Sequence, residues 1–113
     1  MHIFPRKPKQ QLGAYYFGEF DETPRAPFSI STATLDATYT AEQKHYHKEN
    51  QKVYLTLSGK GILNVGGQEV EMKPESLIQV EPGEVHAVEK VVEAPLSFVV
   101  VLASKNNDKI VVE

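Results

Sequence analysis

Two short stretches of this chain hold residues able to do chemistry: His45-Tyr46-His47 and Pro82-Gly83-Glu84-Val85-His86. Histidines at i and i+2 face the same way only in an extended strand, where successive side chains alternate between faces. His86 follows a Pro-Gly turn much later in the chain. A third imidazole therefore reaches the same point only from a second strand. Neutral imidazole is a ligand for zinc, iron, copper, nickel and manganese. Three protein ligands leave coordination positions open for water or substrate. A divalent transition metal so held could polarise the oxygen of a carbonyl, enol or carboxylate. Iron could also place O₂ beside the substrate. Taken singly these motifs are weak: His-x-His arises by chance in a chain with four histidines, and Pro-Gly is simply a turn. Their order, with a glycine-punctuated hairpin region between them, is what points to a site.

The elements that must position these residues are short strands. Ala14 to Phe20 carries Tyr15, Tyr16, Phe17 and Phe20, an aromatic run suited to a strand. Asp21 to Pro27 reads as a turn, and Phe28 to Thr40 as one or two strands. Ser58-Gly59-Lys60-Gly61 separates Val53–Leu57 from Ile62–Val65, and Gly66-Gly67 is a two-residue hairpin signal. Lys73 to Ser76 separates Gln68–Met72 from Leu77–Val80. Glu81 to Glu84 precedes His86–Val92. Leu96–Leu102 is the most apolar strand, and Ile110–Val112 a last one. No segment carries a helical apolar stripe. Many short strands broken by Gly and Pro predict an all-β sandwich or barrel.

Composition bounds the rest. A chain of 113 residues, 41% hydrophobic and 24% charged, fits one globular domain. A net charge of −3 gives no general attraction to nucleic acid or an anionic membrane. The absence of cysteine excludes disulfides, thiolate nucleophiles and cysteine-type zinc sites. Residues 1–12 read as a basic extended arm, with His2, Arg6, Lys7 and Lys9 solvated. No apolar run approaches the roughly 18 residues needed to span a bilayer, and the N-terminus lacks a signal-peptide core. The expectation is a soluble, cytoplasmic protein with no nucleic-acid or membrane partner.

Residues 35 to 102 resemble the cupin superfamily, whose motifs run G-x5-H-x-H-x(3,4)-E-x6-G and G-x5-P-x-G-x2-H-x3-N. His45, His47 and Gly59 match the first; Gly83 and His86 match the second, with Pro82 one residue past its proline position. The resemblance implies a small jelly-roll β-barrel with a metal inside. It implies residues 1–34 as an arm and strands completing the barrel or a dimer, 35–102 as the barrel core, and 103–113 as a terminal strand, one domain overall. It leaves the reaction open, because cupins include dioxygenases, isomerases, epimerases, lyases and non-enzymatic binders. Three-histidine sites in the family occur in dioxygenases of diketones, aromatic diols or thiols. A three-His-plus-Gln set occurs in small cupins that process unsaturated uronates.

The departures carry information. Tyr39, Ser76 and Lys90 stand at motif Gly, Gly and Asn positions, and Lys52 where the family has a metal-binding Glu. The other allowed spacing gives Gln51, whose amide oxygen is a weak fourth ligand. An ammonium beside a neutral three-histidine set repels a cation. Lys52 can then swing into solvent, pair with Glu49 or another acid, or stay and hold an anionic ligand together with the metal. Parity offers two registers. In one, Lys52, Tyr54 and Thr56 face inward and Val53, Leu55 and Leu57 face out. In the other, the apolar set is inside. Burial favours the second and the motif favours the first.

The expectation is a divalent metal (Fe, Mn, Ni, Zn or Cu) on His45, His47 and His86, with Gln51 weak, and Lys52 and Tyr54 lining the substrate side. The ligand is a small anionic or enolisable molecule, and the chemistry a dioxygenase, isomerase or lyase reaction. The rival is a non-catalytic ligand-sensing module. A homodimer is expected from the exposed edges offered by the aromatic strand and Ile110-Val111-Val112.

Overall fold

The structure is a computed structural model and describes residues 10–19, 28–103 and 108–112. The basic arm 1–9, with His2, and the turn at 21–27 lie outside the described residues. So does Phe20.

Among the described residues every regular element is a strand. In chain order they are β1 (Gln10–Leu12), β2 (Tyr15–Glu19), β3 (Ser29–Leu35), β4 (His45–His47), β5 (Lys52–Val65), β6 (Gln68–Met72), β7 (Leu77–Val80), β8 (His86–Leu102) and β9 (Lys109–Val111). All pair antiparallel, in the order β1-β2-β3-β8-β4-β9, with β5 joined to β6, β7 and β8. The sheet curls on itself as a jelly-roll barrel. Residues of the expected arm, core and tail segments share this one sheet. β3 runs across the 34/35 boundary, and β9 pairs with β4.

Alternation fills the barrel. Leu35, Tyr54, Leu63, Met72, Val80, Val88, Leu96, Phe98 and Val100 form one buried cluster. β5 settles the register question. Tyr54 and Thr56 are buried at 2% and 1% exposure, whereas Leu57 is 55% exposed. The strand thus turns its polar-bearing face inward. Tyr54 supplies enough apolar area for that face to belong to the core.

Two expectations about punctuation are corrected. The segment Ser58–Gly61 is no turn, since β5 runs through it as one strand of 14 residues. The presumed break between Val92 and Leu96 is likewise absent, and β8 is one strand of 17 residues. Irregularities between Thr56 and Ser58, Ser58 and Lys60, and Lys60 and Gly61 take up the mismatch with β8. Bulges of this kind bend a strand without ending it. Gly59 shows why glycine is needed there: φ is +76°, and an added Cβ would lie 2.2 Å from the Pro95 carbonyl oxygen. The hairpin at Gly66-Gly67 is as expected, with φ of 59° and 88° joining Val65 to Gln68.

Gly59→Ala and Gly66→Ala therefore should differ. Both place a Cβ at positive φ, costing about 1–2 kcal/mol, but nothing lies within 4 Å of the Gly66 position. Urea unfolding is expected to show Gly59→Ala destabilised by at least about 1 kcal/mol more than Gly66→Ala. Equal losses would contradict the close approach of β5 to Pro95.

Candidate metal centre

β4 is short, and its alternation puts His45 and His47 on the inner face with Tyr46 between them. His45 lies opposite His86, the first residue of β8. The turn before His86 is tied to the same strand, because Gly83 N–H donates to the His47 carbonyl at 2.8 Å. Gly83 has φ +84°, a conformation suited to glycine. The Pro-Gly motif thus sets the entry of β8 against β4.

The three imidazoles meet inside the barrel. His45, His47 and His86 are 1%, 4% and 1% exposed. Ring centroids are 4.4 Å apart for His45 and His86, 5.6 Å for His45 and His47, and 5.7 Å for His47 and His86. One ligand nitrogen from each lies within 4.8 Å of the others.

Their outer nitrogens are all engaged. His45 Nδ1 lies 3.2 Å from the Gln43 carbonyl oxygen, and His86 Nδ1 2.9 Å from the Glu84 carbonyl oxygen. His47 Nδ1 lies 3.0 Å from Asp108 Oδ1. Carbonyls and carboxylates only accept, so each Nδ1 carries the hydrogen and each Nε2 keeps a lone pair. Burial pushes the His45 imidazole down to about 3, and the Lys52 charge adds to this. Burial likewise pushes His86 down to about 4 and lowers His47, with Asp108 opposing. The rings are neutral at pH 7. Among the described residues three buried side-chain polar atoms lack a partner, and two are the Nε2 atoms of His47 and His86; Thr56 Oγ1 is the third. Buried lone pairs without donors are costly. Neutral rings held by outer hydrogen bonds with inner lone pairs are the donor set of a metal centre. Imidazole nitrogens sharing one ion would lie roughly 3.3 Å apart, against ligand atoms within 4.8 Å here, so small ring movements would close the set.

The remaining predicted residues divide. Lys52 turns inward: its Nζ lies 3.4 Å from His45 Nε2 and 4.9 Å from the Tyr54 ring centroid. Burial lowers its pKa to about 8, with Glu42 opposing and Lys109 adding. Tyr54 packs in the core, 5.7 Å from the Phe98 ring and 6.1 Å from the His86 ring, beneath the ammonium. Gln51 is exposed and its amide donates to Glu81 at 3.1 Å, so the structure does not bring it to the histidines. The residue alternates with Lys52 along the strand edge, and parity sends one of them out.

The sequence does not single out Asp108 or Glu42, and marks Tyr39 only as a departure from the motif. Asp108 accepts from His47 Nδ1, from Glu49 N–H at 2.6 Å, and from Asn50 N–H at 3.0 Å and Nδ2 at 2.8 Å. Desolvation raises its pKa, but these four bonds outweigh that and hold the carboxyl far below its usual range. Tyr39, at the motif Gly position, donates its hydroxyl to the Val88 carbonyl and accepts from Glu42 N–H. Glu42 in turn accepts from Val88 N–H. A cleft of about 650 Å³ opens beside this loop, lined by Tyr15, Tyr39, Glu42 and Lys109 among others. Nothing in the sequence marks Asp108, which lies in a polar stretch that reads as a loop.

An antiparallel jelly-roll with imidazoles converging from two strands defines a cupin-type barrel. The cupin domain family model matches residues 33–102, and the chain belongs to that family. No curated protein matches it in sequence. Solved structures agree in fold. A variant of Streptomyces Pac13 with uridine superposes with a TM-score of 0.79 at 13% identity, covering 100% of this chain and 91% of that one. Pac13 is described as a unique nucleoside dehydratase. KdgF from Halomonas sp. gives 0.75 at 13% identity, covering 90% of each chain. The cupin domain of Schizosaccharomyces pombe Cnp3 gives 0.74 at 16%, covering 88% of this chain and 69% of that one. At such identities the likeness is one of fold.

Asp108→Ala should release both the His47 ring and the 49–50 backbone. Urea unfolding is expected to show a loss of about 1–3 kcal/mol, whereas Asp36→Ala, which removes a local bond to Thr38, loses less. Equal or smaller loss at Asp108 would contradict its role as the anchor of β4.

Proposed function

We propose that this chain is a metal-binding cupin that takes a small anionic or enolisable molecule at His45, His47 and His86. One observation carries the reading: three neutral imidazoles present inward lone pairs at one buried point, two of them without a partner. Zinc, iron, manganese, nickel and copper all suit such nitrogen ligands. A bound divalent ion would supply Lewis acidity to a ligand oxygen. The chain's own residues do the rest. The Nδ1 acceptors fix each ring, and the barrel wall excludes bulk water. Lys52, placed beside His45, attracts an anionic group and disfavours a neutral one. Tyr54 supports the lysine from below. Glu42 and Lys109, whose charges act on Lys52, also line the cleft beside the loop before β4.

A second reading has its own support. Lys52 Nζ already faces one of the three lone pairs, which favours a non-catalytic module that senses an anion with or without metal. One relative in fold, Pac13, is seen with uridine and is described as a nucleoside dehydratase, so small-molecule binding suits either reading. A cytoplasmic location, with which the lack of cysteine is compatible, and a homodimer are part of this proposal. The dimer reading rests on the apolar residues exposed on β9 and β1, among them Ile110, Val111 and Leu12. No described helix is long and apolar enough to cross a membrane.

Elemental analysis after reconstitution is expected to find one divalent ion per chain, with at least about 100-fold weaker binding in His47→Ala and His86→Ala variants that still fold. Lys52→Ala is expected to weaken carboxylate ligands, across a panel of uronates, diketones, diols and thiols, at least about tenfold relative to neutral ones. A protein that holds no ion under any loading condition would overturn the metal reading. Indifference to ligand charge would overturn the role given to Lys52.

A further inference from the structure

One contact at the centre sets two demands on a single atom. His45 Nδ1 is committed to the Gln43 carbonyl, so Nε2 is the only nitrogen His45 can offer an ion. That same Nε2 has Lys52 Nζ at 3.4 Å. The ammonium has only donors and the imidazole nitrogen only a lone pair, so the contact is a hydrogen bond from lysine to histidine. His47 and His86 have no such partner on Nε2. The lysine is built into the wall: it comes from β5, flanked by Val80 of β7 and Leu102 of β8, and lies over the Tyr54 ring.

We propose that Lys52 is an internal competitor for the metal, holding the His45 lone pair in the metal-free protein and yielding it only when an ion enters. The inference rests on the three-histidine centre of the proposed function and deepens it. One lone pair cannot accept the lysine proton and bind an ion together, so loading requires the ammonium to withdraw. Once withdrawn it stands close to a dication in a site of low dielectric, where like charges repel strongly. Glu42 is the carboxylate whose charge acts on Lys52, and the stem is long enough to turn toward it. An anionic ligand offers a second partner. Lys52 therefore weakens metal binding by itself and strengthens anion binding, so removing its charge moves the two affinities in opposite directions.

The test is calorimetric titration of Co²⁺ into metal-free wild-type protein and into the Lys52→Leu and Lys52→Ala variants. Neither side chain offers a metal donor; leucine keeps apolar bulk over Tyr54, and alanine guards against a packing effect peculiar to leucine. Melting curves confirm that both variants fold. The expected result is at least about tenfold tighter Co²⁺ binding in both variants than in wild type. A parallel titration with Zn²⁺, followed by NMR, should show the Lys52 side-chain resonances shifting as the ion loads. Equal or weaker binding in the folded variants overturns the competition while leaving the three-histidine centre standing. Absence of binding in wild type and variants alike overturns both.

Discussion

The structure depends on what holds the far side of each imidazole. A histidine ring buried in a barrel is a liability unless its two nitrogens are assigned. Here two backbone carbonyls and one carboxylate accept from the three Nδ1 atoms. These bonds fix the tautomer, fix the ring angle and leave the inner lone pairs aimed at one point. The acceptors come from three separate places: the residues before β4, the turn before β8, and the segment that leads into β9. The barrel must close correctly for all three to be present. Fold and site are in this sense one constraint.

Lys52 is the second consequence of that geometry. An ammonium in a buried site needs a partner, and His45 Nε2 is the acceptor within reach. The face of β5 that carries it also carries Tyr54 and Thr56 into the interior. Strand parity fixes the lysine's Cβ on the same face as that core tyrosine, leaving only the end of its stem free to move. On the proposed function, a cation at this position makes the site poorer for a bare metal ion and richer for an anion. Glu42 is the carboxylate whose charge acts on this lysine, while Asp108 holds His47 and the backbone of residues 49 and 50.

Much of this was legible in the sequence, for physical reasons. His-x-His reads as one strand face because side chains alternate with a period of two. Pro82-Gly83 reads as a turn because only glycine takes φ of +84° freely. The Gly66-Gly67 hairpin is legible on the same grounds. What misled was glycine in a second role. Gly59 looks like a break, yet it lets β5 pass against the Pro95 backbone, a contact between segments distant in sequence. Pairing parity was also undecided, since either face of β5 offers bulky residues and only tertiary contacts choose. Asp108 was not legible at all, because its partners lie on the far side of the chain. Gln51 was read as a weak ligand from spacing alone, and its neighbour's inward direction sends it to Glu81 instead.

The site depends on three neutral rings, each protonated at Nδ1. Nitrogen NMR of the ¹⁵N-histidine-labelled, metal-free protein at neutral pH reads this directly. It is expected to show His45, His47 and His86 with protonated Nδ1 and unprotonated Nε2. Protonation at Nε2 of any of the three, or a cationic ring among them, would contradict it.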